Sequence, residues 1–159
     1  MREYNFRTND QTPSYFALLK NGELAVRTKA LNKILEKCEL CPRRCHVNRL
    51  NDEKGECFAG KFPVVSSHGP HFGEEAPLVA INGSGTIFFA HCNLLCVFCQ
   101  NYDISYLARG DKLSISQLAK TMMAVQMMGC HNLNFVTPTH FVPQMVEALA
   151  QAIDQGFKL

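Results

Sequence analysis

Three cysteines, Cys92, Cys96 and Cys99, form a C-x3-C-x2-C run directly after the strand-like stretch Gly85-Thr86-Ile87-Phe88-Phe89-Ala90. Three closely spaced thiolates suit three irons of a 4Fe–4S cluster and leave the fourth iron to a ligand from outside the protein. A fourth cysteine would close the cluster for plain electron transfer. Phe98, apolar and just ahead of the third thiol, is expected to shield such a cluster. A structural zinc site or plain packing is the other use for three such thiols.

A second set lies upstream: Cys38-x2-Cys41-Pro42-Arg43-Arg44-Cys45, then Cys57 after Gly55-Glu56. Four cysteines in two groups match a closed tetrahedral site for zinc or for a second 4Fe–4S cluster, and the spacing does not separate the two. Free structural thiols are the alternative. Arg43, Arg44 and Arg49 stand beside them and are expected on a solvated face, the other reading being that they lower thiolate pKa values. His46 reads as ordinary surface and Cys130 as a small buried residue. His68, His71, Glu74 and Glu75 share a glycine-rich loop that could bind metal or move protons, with no regular element to fix its geometry. Met122, Met123, Met127 and Met128 fall at helical spacing and read as core.

The Cys92–Cys99 run matches the C-x3-C-x-Φ-C signature of the radical S-adenosylmethionine (SAM) superfamily. The stretch Cys92-Asn93-Leu94-Leu95-Cys96-Val97-Phe98-Cys99-Gln100-Asn101-Tyr102-Asp103 resembles the activating enzymes of pyruvate formate-lyase and their uncharacterised relatives, in which the third cysteine is followed by a polar residue and then Asn. The resemblance runs from about Cys38 to the last residue. It implies a partial or full (β/α) barrel with the cluster on the loop after the first strand. It implies, too, that SAM's methionine moiety chelates the open iron. An electron from a reductant such as flavodoxin or ferredoxin would break the sulfonium–C5′ bond, and the 5′-deoxyadenosyl radical would abstract hydrogen from substrate, a protein glycine in the named activators. Cys92, Cys96 and Cys99 would be the iron ligands, and Asn101 and Asp103 would lie near SAM; a solvated loop with Asx turns is the other reading of those two. Where much of the superfamily carries a Gly-Gly-Glu-type segment, this sequence has Val136-Thr137-Pro138-Thr139-His140. Thr137, Thr139 and His140 could substitute for that segment as hydrogen-bond partners of SAM, while Thr139 is also a good helix N-cap and is favoured as one. Some relatives carry extra cysteine motifs ahead of the loop, as Cys38, Cys41, Cys45 and Cys57 do here.

These residues need elements to position them. Residues 14–37 read as helix in two pieces broken at Asn21-Gly22, with Leu24, Leu31, Ile34 and Leu35 near one face. Residues 62–67 suit a short strand, and residues 68–75 are too rich in turn formers and charge for regular structure. Residues 85–90 form a buried strand. Residues 114–128 form a helix with a Ser114/Gln117 capping box and Gly129 past its end. Residues 133–137 form a second strand and residues 141–155 a second helix, with Pro143 in its first turn. Residues 157–159 are expected to open a third strand. Helix-length crossovers imply parallel pairing and right-handed βαβ units. The expected class is therefore α/β: an incomplete radical SAM (β/α) barrel, its first two β/α units at residues 79–159, behind an N-terminal helical, Cys-rich extension at residues 1–78. On this reading the chain is cut short, and a non-catalytic iron–sulfur or zinc-binding fragment is the rival function.

Bulk composition narrows the partners. A chain of 159 residues, 47% hydrophobic and 19% charged, suits one packed domain. A net charge of +2 gives no reason to expect nucleic acid or an anionic membrane, and no apolar run approaches the roughly 18 residues that span a bilayer. The polar start Met1-Arg2-Glu3-Tyr4-Asn5-Phe6-Arg7 has no signal-peptide core. Eight cysteines without such a signal point to metal sites in a reducing, cytoplasmic setting.

Overall fold

The computed structural model describes residues 12–159, so the segment Met1–Arg7 lies outside the described residues. The chain is mixed α/β. Strands β1 (Val64–His71), β2 (Ser84–Phe89), β3 (Asp111–Lys112) and β4 (Leu133–Val136) form one sheet in the order β3-β1-β2-β4. Strand β1 is antiparallel to β2 and β3, whereas β2 and β4 are parallel, with Ile87 opposite Phe135. Sheet pairing therefore crosses the 78/79 boundary, because β1 runs beside β2 from Val65 to His71.

Helices α1 (Tyr15–Lys20) and α2 (Glu23–Ile34) break at Gly22, whose φ of 80° is left-handed. A 3₁₀ turn, Leu35–Lys37, continues α2 toward the first cysteines. Short helices α3 (Ala76–Val79) and α4 (Tyr102–Ser105) lie in the loops on either side of β2. Helix α5 (Ile115–Met127) starts on the reciprocal Ser114/Gln117 capping box, which satisfies two of its otherwise orphan N–H groups. Helix α6 (Val142–Asp154) follows a 3₁₀ turn, Thr139–Phe141, with Pro143 in its first turn.

Strand β2, paired with β1 on one edge and with β4 on the other, is buried along nearly its whole length. Leu118, Ala119, Met122 and Val125 of α5 meet it, together with Ala148 and Ala152 of α6, Phe141 and Phe157. Full burial of a side chain such as Leu118 or Phe141 contributes about 2 kcal/mol. Gly85 makes the close α5–β2–β4 approach feasible: a Cβ there would lie 2.4 Å from the Asn132 carbonyl oxygen and 2.5 Å from Val125 Cγ1.

Several local expectations are corrected. Strand β1 continues through His68-Gly69-Pro70-His71, because β2 offers a complete antiparallel partner there. Thr139 sits in the 3₁₀ turn and not at an N-cap; Phe141 occupies the cap position of α6 with no side-chain cap bond. Residues 157–159 form no strand: Phe157 is inserted in the core, and the Leu159 carbonyl accepts the Tyr15 hydroxyl at 2.8 Å. Met122 is core and Met123 packs against it, but Met127 and Met128 are exposed at the end of α5. Ile34 is also exposed, while Leu24 and Leu35 are buried.

Candidate metal centre

Strands β2 and β4 run parallel and therefore release their loops at the same end of the sheet, where ligands collect in open α/β folds. Chain leaving β2 turns at His91 (φ 66°) into Cys92, and chain leaving β4 turns at Thr137 (φ 58°) into Thr139 and His140. A left-handed backbone is unfavourable for a β-branched residue, and such strain concentrates at functional sites. The two loops are tied together: His140 Nε2 lies 3.0 Å from the Ala90 carbonyl oxygen.

Cys92 is buried, Cys96 and Cys99 are half-buried, and all three are free thiols. The Leu94 N–H donates to Cys92 Sγ at 3.3 Å, and the Ser105 hydroxyl donates to Cys99 Sγ at 3.3 Å. Hydrogen bonds of this kind stabilise thiolate sulfur and tune iron–sulfur centres. The Cys99 N–H closes a turn on the Cys96 carbonyl at 3.0 Å. That turn sends Val97 and Phe98 outward; Phe98 is 86% exposed and does not shield the thiols. Tyr106, which the sequence did not single out, hydrogen-bonds the Leu95 carbonyl and stacks on Tyr102 with centroids 4.8 Å apart. Desolvation raises the Tyr106 hydroxyl pKa, with Cys96 and Cys99 adding to the shift.

The other expected cofactor contacts divide. The Asn101 carbonyl accepts N–H groups of Ile104 and Ser105 at the start of α4, leaving its half-buried side chain without a cap bond. Asp103 is exposed and pairs with Arg109 at 2.5 Å. Thr137 is half-buried and Thr139 exposed. His140 is 1% exposed, and its pKa is lowered to about 4, chiefly by desolvation and also by Arg49 and His91.

The second cysteine set converges as well. Cys38, Cys41, Cys45 and Cys57 line one pocket with Arg49 and His140. The Cys38 N–H donates to the Val47 carbonyl and the His46 N–H to the Cys38 carbonyl, both at 3.0 Å, which folds the Cys38–Cys45 turn back on itself. The Glu56 N–H donates to Cys45 Sγ at 3.4 Å. A Cβ on Gly55 would lie 2.7 Å from that sulfur, so glycine lets the loop close over the thiol. Burial pushes the Cys57 thiol pKa up, opposed by the Ala59 N–H and by Arg49. Arg43 joins the two sets: its Nε and a terminal nitrogen donate to the carbonyls of Asn93 and Leu94 at 3.0 and 3.2 Å. Arg49 is no part of a solvated face; it is buried in the pocket wall. His46 is exposed and contacts Glu39 at 3.0 Å, Cys130 is buried as expected, and His71, the last residue of β1, lies 3.0 Å from Glu74 in the turn that follows.

Among the described residues, no group of three or more His, Cys, Asp or Glu side chains is arranged as a metal ion requires. The fold brings each cysteine set into one neighbourhood without coordination geometry. The donor set of the Cys92–Cys99 loop nonetheless fits an iron–sulfur cluster with one open iron: three thiols, two of them already receiving hydrogen bonds. No protein-family model and no solved structure matches the chain. Over 101 residues, 64% of its length, the chain is 41% identical to Uncharacterized protein MJ0674 of Methanocaldococcus jannaschii, and it spans 27% of that protein. No helix among the described residues is long and apolar enough to cross a membrane.

Proposed function

We propose that the chain carries the cluster loop of a radical SAM enzyme resembling the pyruvate formate-lyase activating enzymes, with Cys92, Cys96 and Cys99 as ligands of a 4Fe–4S cluster. One observation carries the reading: all three cysteines lie on the loop leaving the carboxyl end of buried β2, beside the strained turn that leaves parallel β4. On this reading β2 to α6 form the first two units of a (β/α) barrel, and the free thiols suit a reducing cytoplasm.

When bound, the cluster and SAM supply one-electron chemistry for hydrogen abstraction, with flavodoxin or ferredoxin as the class of reductant and a protein glycine as a candidate substrate. The chain's residues hold and orient. Cys92, Cys96 and Cys99 present three thiolates, while the Leu94 N–H and the Ser105 hydroxyl stabilise charge on two of them. Asn101, Thr137 and Thr139, half-buried or exposed, would offer polar groups to SAM. His140 acts from behind, fixing the two loops through the Ala90 carbonyl. A second reading, metal binding without turnover, is favoured by one observation: Asp103 is committed to Arg109 and His140 is buried, so few polar groups remain free at the rim.

Anaerobic reconstitution with iron and sulfide, then reduction and electron paramagnetic resonance with and without SAM, separates the two. A reduced-cluster signal that shifts on adding SAM is the expected result. A cluster signal indifferent to SAM would leave metal binding alone, and no signal would overturn both iron–sulfur readings of this loop.

A further inference from the structure

Arg49 is 1% exposed, yet every hydrogen bond it makes goes to a neutral group. Its Nε and one terminal nitrogen donate to the Gly60 carbonyl at 3.1 and 2.9 Å, and the other donates to the His140 carbonyl at 2.7 Å. These bonds give each of its three nitrogens a partner, use three of its five N–H donors, and leave its charge. Among the described residues no carboxylate pairs with it, and the Phe141 ring at 5.6 Å offers only a cation–π contact. Guanidinium does not escape burial by deprotonating. A buried charge without an opposite charge is costly, and folded proteins pair it. Among the described residues of that pocket wall, the other groups able to become anionic are four thiols, Cys38, Cys41, Cys45 and Cys57.

His140 provides an independent observation. Its Nε2 lies against the Ala90 carbonyl, so in the neutral ring Nε2 carries the proton. Nδ1 is then a bare lone pair, buried and without a hydrogen-bond partner, in a side chain that lines the same pocket. An imidazole that donates one nitrogen to a carbonyl and keeps the other free is in the form that ligates metals.

We propose that Cys38, Cys41, Cys45 and Cys57 bind a thiophilic metal centre as thiolates, with Arg49 as its buried counter-charge and the free nitrogen of His140 at its edge. Four thiolates around a zinc ion, or around a 4Fe–4S core of charge +2, carry about two net negative charges; the Arg49 guanidinium offsets about one of them in either case, and Arg43 and Arg44 line the same pocket. Binding draws the four sulfurs inward and releases their protons to solvent. The Cys38–Cys45 turn and the Gly55 loop already bring them to the wall of one pocket. The proposal does not depend on what the Cys92–Cys99 loop binds.

The test uses the 159-residue chain with Cys92, Cys96 and Cys99 changed to Ser, purified without oxygen, with zinc, iron and labile sulfide counted per chain. About one zinc, or about four irons with four sulfides, supports the proposal and says which centre is present. A folded chain that carries no metal and takes up neither added Co²⁺ nor iron and sulfide overturns it. If the triple variant does not fold, the unaltered chain is titrated with Co²⁺. A thiolate-to-cobalt absorption lost in Cys57→Ser but kept in Cys96→Ser supports the site, and any other pattern overturns it. For the counter-charge, Arg49→Met is expected to weaken metal retention against a chelator about 10- to 100-fold, with Arg49→Lys recovering part of it. Unchanged retention in a folded Arg49→Met chain would remove Arg49 from the proposal.

Discussion

Thr137 holds φ at 58°, in a region where its branched Cβ crowds the backbone. Strain of this kind costs about 1–3 kcal/mol and persists only where the surroundings impose it. Glycine adopts the same conformation freely, at an entropic cost of about 0.5–1 kcal/mol. Thr137→Gly is therefore expected to stabilise the fold by about 1 kcal/mol, read as a higher urea midpoint at unchanged slope. A lower midpoint would mean that the Thr137 side chain makes contacts worth more than the strain. Cys96 carries a different prediction. Its backbone carbonyl closes the loop turn, and that bond survives loss of the thiol. Cys96→Ala should thus leave the chain folded but abolish the SAM-responsive cluster signal, while metal at the Cys38–Cys57 pocket stays. Iron and sulfide counts beside the unaltered chain check this, and a surviving loop cluster would refute the ligand assignment.

Elements decide how firmly these residues are held. Arg43 reaches from the first cysteine turn to two carbonyls of the second cysteine loop, and both bonds lie near the surface. Losing them should cost about 1 kcal/mol of local stability. Arg43→Ala is expected to speed amide exchange across residues 93–98 about fivefold while β2 stays protected. Faster exchange throughout, or none, would show that the two cysteine segments are not coupled this way. Helix α5 was legible because its determinants are local: the Ser114/Gln117 box, the Leu118–Met122–Val125 stripe and Gly129 past the end. The buried strand before the cysteines was legible from its run of β-branched and aromatic residues, as was its parallel partner. The far half of β1 was not. Gly69 and Pro70 are poor strand formers, and they are tolerated because β1 beyond Val65 has a neighbour on one side only. Cysteine spacing announced both sets of thiols. The burial of Arg49 and the reach of Arg43 join residues 11 to 91 positions apart, and no local pattern encodes such contacts.

Across the whole molecule, the pocket, the two loops and the core meet at His140, which makes stability depend on pH. In the fold its pKa is lowered to about 4, mainly by desolvation, and desolvation also lowers the pKa of His91. Free histidine titrates near 6.5. Between those values the unfolded chain takes up protons that the folded chain refuses, so falling pH favours unfolding. Stability is therefore complete above about pH 6.5 and declines as pH falls toward 4, with His140 alone accounting for about 3 kcal/mol. Metal would add a loss of the same sign, because protons compete for thiolate ligands. Urea midpoints from pH 8 to pH 4 should therefore be measured on chain stripped of metal. The decline should be visibly shallower in His140→Asn, whose side chain does not titrate. An equally steep decline in that variant would mean that burial of His140 is not what makes stability fall with pH, and would leave His91 as the source.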